Sequence, residues 1–213
     1  HILRQSLDAR RRKAAPHFVY TLEVFAAGEE PKVDHPHVER VNYQGAPVLV
    51  IGSGPAGLFA ALRLAERGIP CHIFEQGSEC GKRLMAINRF WRYGELDPLN
   101  NVGFGEGGAG LYSDGKLITR IKSPHIPYVM DRLISFGAPE EIRYLSNPHV
   151  GSDRIRRLIP KIRARLEELG VVFHFNTKVS RLLVEGSEVV GFATDSGQEF
   201  RSGRVIWAGG HSA

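Results

Sequence analysis

The chain reads as an α/β protein, built on a Rossmann-like parallel sheet with a β-meander crossover and preceded by a small α/β appendage. Three observations carry this reading. Val48 to Ile51 form a short apolar, mostly β-branched run, as expected of a central parallel strand covered on both faces. Gly52-Ser53-Gly54-Pro55-Ala56-Gly57 follows at once as a glycine-rich turn and opens a helical pattern. The last third of the chain alternates short strand patterns with turn dipeptides after one long amphipathic helix.

Composition bounds the answer without choosing a function. The chain has 213 residues, 42% of them hydrophobic and 24% charged, which suits one good core plus a smaller unit. A net charge of +5 and a pI near 9.4 suit an anionic ligand, whether cofactor or nucleic acid. Cys71 and Cys80 form no C-x-x-C pair and suggest no disulfide framework, which fits a reducing compartment and hence a cytoplasmic protein. No apolar run approaches the roughly 20 residues of a membrane span, and no signal peptide is visible. The chain starts without Met and stops just after a strand and a glycine turn, so it reads as a piece of a longer protein.

The first residues predict an amphipathic helix, with Ile2, Leu3 and Leu7 at partly helical spacing and a basic run from Arg10 to Lys13. That run lacks the interleaved aromatics of a stacking platform, so it reads as a solvated helix end and nucleic acid is not expected. His17 to Ala26 predicts a strand with Phe18, Tyr20, Leu22 and Val24 on one face. Residues 28–47 are rich in Pro, Gly, Glu and His and read as a linker. Its His35-Pro36-His37 has no recognised metal-ligand spacing, and no metal site is expected. The appendage and linker thus occupy residues 1–45, and the nucleotide domain residues 46–213.

Within that domain each glycine of the turn has a distinct task. Gly52 permits a sharp turn, Gly54 permits close approach of backbone to a pyrophosphate, and Gly57 permits the helix to pack close to the strand. Leu58, Ala61, Leu62 and Ala65 recur at helical spacing, with Gly68 at the C-cap position. The helix N-terminus offers unpaired N–H groups and partial positive charge. Pro70 to Phe74 reads as the second strand, and Glu75 follows Gly57 at close to the roughly 20-residue spacing of a ribose-binding carboxylate. A carboxylate there repels a 2′-phosphate and so favours FAD or NAD over NADP in this pocket.

Downstream, a helix is predicted over Lys82 to Tyr93 and another around residues 127–136. Asp153 to Leu169 is the strongest amphipathic pattern, with an expected kink at Pro160. Strand patterns follow at Val171 to Phe175, Lys178 to Val184, Glu188 to Asp195 and Phe200 to Ala208. Between them lies a long glycine-rich stretch, residues 95–116. Its segment from Asn101 to Leu117 is so dense in glycine that the backbone must need something only glycine allows, such as a large flat ligand lying against the main chain.

In order along the chain stand the glycine turn with Glu75, Gly81-Lys82-Arg83, Phe104-Gly105-Glu106-Gly107-Gly108-Ala109-Gly110 running into Ser113-Asp114-Gly115-Lys116, Asn176-Thr177-Lys178-Val179, and Val205-Ile206-Trp207-Ala208-Gly209-Gly210. This series resembles the FAD-dependent oxidoreductases of the glutathione-reductase-like, two-dinucleotide-binding-domain fold, and more narrowly the NAD(FAD)-utilising or FAD-dependent dehydrogenases. Pro148-His149-Val150-Gly151-Ser152-Asp153 is similar to that group as well.

The resemblance implies an enzyme passing hydride or electrons through flavin, with NAD(P)H as a candidate donor. It implies that Gly52, Gly54, Pro55, Ala56 and Gly57 hold the FAD pyrophosphate, with Glu75 and the adjoining Gln76 at the adenosine ribose. Lys82 and Arg83 would lie near the phosphates or ribose. Gly107, Gly108, Ala109 and Ser113, Asp114, Gly115 and Lys116 would approach the ribityl chain and flavin. Val179 would meet the adenine edge through its backbone, and Ala208, Gly209 and Gly210 would close over the cofactor. Lys116 is the candidate for a cation near the reduced ring, while no catalytic residue is assigned. Three rivals stand beside this reading: an NAD-dependent dehydrogenase without flavin, an RNA-modifying flavoprotein and a non-catalytic FAD-binding module.

Overall fold

The computed structural model describes residues 1–10, 15–29, 38–119 and 121–210. Arg11 to Lys13, the His35-Pro36-His37 motif and His211 lie outside the described residues. The chain forms two compact units, one from residues 1–37 and 114–158, the other from residues 38–113 and 159–213.

The larger unit is built on a parallel sheet. Its strands β3 (Val48–Ile51), β4 (Cys71–Phe74), β5 (Val172–His174) and β9 (Val205–Trp207) lie in the order β5-β4-β3-β9. Helix α1 (Pro55–Glu66) crosses from β3 to β4 as expected of a βαβ unit. Its buried stripe is Leu58, Ala61, Leu62 and Ala65, the residues that the helical spacing singles out. Burying such leucines contributes about 2 kcal/mol each.

An antiparallel meander of β6 (Val179–Glu185), β7 (Glu188–Thr194) and β8 (Glu199–Arg201) stands between β5 and β9 in the chain. It buries Phe192 against Leu49, Ile51 and Phe74, with Val179, Phe200 and Val205 packed around them. Phe74 meets Phe192 and Phe200 edge-on at 4.7 and 4.6 Å and stacks on His174 at 4.4 Å.

The pattern at Phe200 to Ala208 predicts one strand, and the structure corrects this to two. The chain leaves the meander after Arg201, turns through Ser202-Gly203-Arg204, and enters the parallel sheet beside β3 as β9. Both pieces carry apolar residues to the same core, so the hydrophobic pattern runs on across the break.

In the smaller unit, β1 (Ile2–Asp8) pairs antiparallel with β2 (His17–Leu22). The expected N-terminal helix is therefore a strand. Its spacing is compatible with a helix, but the ladder to β2 decides the conformation, and neither strand has the clean burial alternation that marks one. Phe18, Tyr20 and Leu22 are exposed. Helix α3 (Ile126–Ser135) supplies Met130, Leu133 and Ile134 to a small core around Ala138, Ile142, Val150 and Leu158. Helix α2 (Cys80–Tyr93) belongs to the larger unit. Helix α4 (Ser152–Glu168) carries Pro160 inside it, and the division between the units falls within it.

Two of the motif glycines are required by this packing. A Cβ on Gly57 would stand 1.9 Å from the carbonyl oxygen of Gly52, because α1 begins hard against the turn that launches it. Gly52 has φ +104°, and its Cβ would lie 2.4 Å from the carbonyl oxygen of Ala208. Gly57→Ala is therefore expected to lower unfolding stability by about 2 kcal/mol through overpacking, against a small gain in helix propensity. Urea melts check this; unchanged stability would contradict the close packing.

Both thiols are disfavoured from ionising. Cys71 is buried under α1, and burial pushes its pKa up to about 12. Burial pushes the Cys80 thiol up too, helped by the Glu106 carboxylate beside it. Iodoacetamide at pH 8 should spare both in the native protein and modify both in urea. Because the Cys71 pKa is raised from its ordinary 9.0, its contribution to stability is complete below that value and is lost as pH rises through about 12. Denaturation midpoints should accordingly fall across that window, and less steeply in Cys71→Ala.

Candidate dinucleotide-binding site

At the carboxyl end of the parallel sheet, β3 ends in the glycine turn and α1 starts with Pro55 at its first position. Gly54 is the N-cap residue, with φ −70°, and makes no side-chain cap. No side chain caps the first N–H groups of α1, which suits an anion.

Opposite stands a second glycine loop. Gly108 sits at φ +58° and ψ −160°, a conformation essentially confined to glycine. A Cβ on Gly108 would lie 3.1 Å from the Cα of Gly54 and 3.5 Å from Pro55 Cδ. The two loops are tied by the Gly107 N–H, which donates to the Ser53 carbonyl at 2.9 Å. Ala109 opens a short 3-10 turn through Tyr112, where the sequence shows no periodicity, and the Ser113 hydroxyl donates to the Gly110 carbonyl. On the remaining side the Ala208 N–H donates to the Ile51 carbonyl, and Gly209 and Gly210 leave β9 with Gly210 at φ +81°.

Glu75 directly follows β4, with its side chain buried. Its Oε2 accepts from the Ser53 N–H at 3.0 Å and the Ser53 hydroxyl at 2.8 Å, and its Oε1 from the Gly77 N–H at 2.9 Å. The half-buried Gln76 lies between these anchors. Ser78 donates its hydroxyl to Asn176 Oδ1, where Asn176 adopts φ +53° as the chain turns from β5 towards β6. Val179 opens β6 opposite Thr194.

The resemblance places Lys82 and Arg83 near phosphates or ribose, and within the chain the two have different surroundings. Lys82 is exposed, 4.0 Å from Glu79. Arg83 is fully buried, and its guanidinium donates to the carbonyls of Asn101, Val102, Gly105 and Glu106. It also lies 5.0 Å from the centre of the Tyr112 ring. Burial is the largest influence on its pKa and lowers it. Gly105 is glycine because Arg83 packs on it: a Cβ there would stand 2.5 Å from Arg83 Cδ.

Glu106 holds the loop from its other side, a role that the sequence does not reveal. One carboxylate oxygen accepts from the Cys80 N–H at the start of α2. The other lies 2.9 Å from Arg163 Nε, an ion pair lacking hydrogen-bond alignment. These partners are far apart in sequence, so no local pattern signals them.

Asp114, Gly115 and Lys116 belong to the smaller unit. There the stretch from Asp114 to Leu117 pairs antiparallel with residues 148–151, bringing two of the noted motifs side by side. Gly115 sits at φ +69° with Ile155 Cδ1 where a Cβ would be, and Lys116 pairs with Asp114 at 3.2 Å. Among the described residues no group of three or more His, Cys, Asp or Glu side chains is placed to hold a metal ion, and no helix is long and apolar enough to cross a membrane.

A βαβ unit with its glycine turn at the carboxyl edge of a parallel sheet defines the class: a dinucleotide-binding α/β protein. Residues 47–96 match the family model of the FAD binding domain. An uncharacterised protein of Clostridium beijerinckii is 34% identical over 227 residues, an alignment that takes in 100% of this chain and 42% of that protein. The chain thus spans less than half the length of this relative. Among solved structures, 3-ketosteroid-Δ4-(5α)-dehydrogenase of Rhodococcus jostii RHA1 superposes with a TM-score of 0.51 at 15% identity, over 80% of this chain and 48% of that one. The GidA-related protein of Thermus thermophilus gives 0.43 at 18% identity, over 78% and 53%. The shared architecture is that of the FAD/NAD-binding Rossmann-like domains. The family match fits the FAD-dependent oxidoreductases that the motifs resemble, with FAD as the cofactor of the matched domain.

The geometry can be tested against that cofactor. Gly52 and Gly57 are glycine because the chain itself leaves no room. Gly54 is not: its φ is ordinary, and a Cβ there would meet only Gly108 Cα at 3.8 Å. Nothing among the described residues demands glycine at this position, at the mouth of a helix N-terminus. The missing side chain leaves open the approach that a pyrophosphate needs, so the residues fit the group.

Proposed function

We propose that this chain is the FAD-binding part of a flavin-dependent oxidoreductase. The observation that carries the reading is Gly54, glycine without an internal reason between the α1 N-terminus and Gly108. Bound FAD would supply two-electron chemistry, accepting hydride from a substrate or from NAD(P)H. The protein's share is position and electrostatics. Gly54, Ala56 and Gly57 offer backbone N–H groups to the pyrophosphate, while Gly52 and Pro55 shape the turn around it, the Gly52 N–H being donated to the Phe74 carbonyl; Glu75, with Gln76 adjoining it, meets the adenosine ribose. Gly107, Gly108 and Ala109 offer main chain to the ribityl end, and Ser113, Asp114, Gly115 and Lys116 are assigned to the flavin. Val179 is assigned to the adenine edge, and Ala208, Gly209 and Gly210 to the closing wall.

The domain assignment, an appendage over 1–45 and an FAD domain over 46–213, belongs to the same proposal, as does a cytoplasmic setting. An absorption spectrum of the purified protein after incubation with FAD tests it. Flavin bands that survive gel filtration and bleach on adding NADH or NADPH are expected. A spectrum without such bands overturns the cofactor assignment, and bands that neither NADH nor NADPH bleaches remove NAD(P)H as the donor. The RNA-modifying alternative predicts salt-dependent RNA binding, and its absence at low salt removes that reading.

A further inference from the structure

His72 and His174 meet across neighbouring strands, β4 and β5, on the side of the parallel sheet that the meander covers. Both are half-buried. His72 Nδ1 lies 3.1 Å from His174 Nε2, so one ring donates the single proton between them and the other accepts it. The His174 ring stacks on Phe74 at 4.4 Å and tilts against Phe200 at 5.6 Å.

The surroundings offer the pair no counter-charge. Among the described residues no carboxylate pairs with either ring, and His72 is the titratable group that faces His174. From the meander, β7 brings Phe192, β8 brings Phe200 and β6 brings Val179. Glu199 and Arg201, on either side of Phe200, are bonded to Arg181 and Glu185 across the meander. Glu75, the next residue after β4, is tied to Ser53 and Gly77. A second proton would put an N–H on each side of a gap that holds only one. The hydrogen bond would be lost, two cations would face each other, and the rings would have to part. Burial, and after it His72, lowers the His174 pKa from its ordinary 6.5. A base lowered in this way contributes its full stability above the ordinary value, and that contribution is lost as pH falls.

The strand β5 is where such a parting would be felt. It is three residues long and lies at the edge of the sheet, with β4 as its neighbour. Its end is laced to the segment that follows β4. The Glu75 N–H donates to the His174 carbonyl, the Asn176 N–H to the Gly77 carbonyl and the Thr177 N–H to the Glu75 carbonyl, each at 2.9 Å. Val179 then opens β6. We infer that the His72–His174 pair is an acid-sensitive latch on β5, closed at neutral pH, through which acidification loosens the adenosine end of FAD. The inference rests on the reading that this end of FAD lies against residues 75–76 and Val179. The two histidines are positioning residues and act through the strand that they hold.

The test compares the wild-type protein with His174→Phe, which keeps an aromatic ring on Phe74 and removes the shared proton. FAD affinity is read by flavin fluorescence quenching at about pH 7.5 and about pH 5.5, on either side of the ordinary histidine range. Amide exchange of residues 172–177 is followed in the cofactor-free protein at the same two values. The wild type should lose about tenfold in affinity on acidification, as for one pKa unit of linkage, while its β5 amides become less protected. His174→Phe should lose less than about twofold over the same range. Urea melts establish that the variant is folded, and His72→Phe makes the same comparison from the other strand. Ring C–H resonances of the wild type should show His174 still neutral where an ordinary histidine is half charged.

Equal pH dependence in the wild type and both variants overturns the inference. Two rings that charge together at the ordinary 6.5 overturn it as well. So does an FAD affinity that stays constant while the β5 amides lose protection. A purely structural role would lower affinity in the variants by the same factor at both pH values. Failure of FAD to bind at either pH overturns the underlying cofactor reading instead, and amide exchange and ring titration still decide the latch.

Discussion

Arg83→Met should destabilise the protein even in the absence of cofactor, by about 3 kcal/mol or more, with the loss concentrated in the loop of residues 101–106. The substitution keeps an unbranched side chain of similar reach but removes every donor. Four carbonyls, those of Asn101, Val102, Gly105 and Glu106, then lose the guanidinium, and of these Gly105 keeps the Gly108 N–H as a partner. Leaving a buried acceptor unpaired costs about 1–3 kcal/mol, and water entering the loop recovers part of that. Arg83→Lys should rescue little, since an ammonium cannot span four acceptors in a planar fork. Urea melts of the cofactor-free protein and amide exchange across the loop are the measurements. If Arg83 acted chiefly on a phosphate, the variant would keep its stability without FAD and lose only affinity.

Gly54→Glu should do the opposite, leaving the fold nearly intact while reducing FAD affinity by about a thousandfold or more. Position 54 has ordinary backbone angles, and the space beyond its Cβ position is open up to Gly108. The glutamate would project where the pyrophosphate approaches, setting volume and negative charge against an anion otherwise favoured by the helix end. Flavin absorbance retained after gel filtration is the readout. A variant that kept its flavin would move the phosphate site elsewhere. Together with Gly57→Ala, which should harm folding first, the substitution separates the glycines that build the turn from the one left for the ligand.

The core of this arrangement is legible in the sequence because it is local. β3, the glycine turn, α1 and β4 lie within a few dozen residues, and each part has its own signature: β-branched run, glycine spacing, helical stripe. Helices α2, α3 and α4 are readable for the same reason. β1 reads as a helix because Ile2, Leu3 and Leu7 suit a helix as well as a strand, and only the ladder to β2 selects between them. β8 and β9 merge because Phe200 and Val205 serve one core while their backbones bond to different sheets. At the site, glycines announce themselves and charges do not. Glu75 stands out by spacing, but its ties to Ser53 and Gly77 do not. Arg83 and Glu106 look like surface charges of a turn and a loop, and burial turns them into the loop's supports. Their partners are brought together by tertiary structure, which no local window contains.

The seat of β9 next to β3 has a consequence for the nascent chain. The strand from Val48 to Ile51 is wholly apolar and buried, yet its partner on one side is the strand from Val205 to Trp207. At roughly 5–20 residues per second, a ribosome delivers that partner about eight to thirty seconds after β3. Through that interval β3 can zip to β4 and be covered by α1, but its other edge stays open. Ala208, whose carbonyl abuts the Gly52 turn, arrives with β9. The glycine turn is thus completed only when β9 arrives, and a cell making this chain must shield one sticky strand edge throughout that interval.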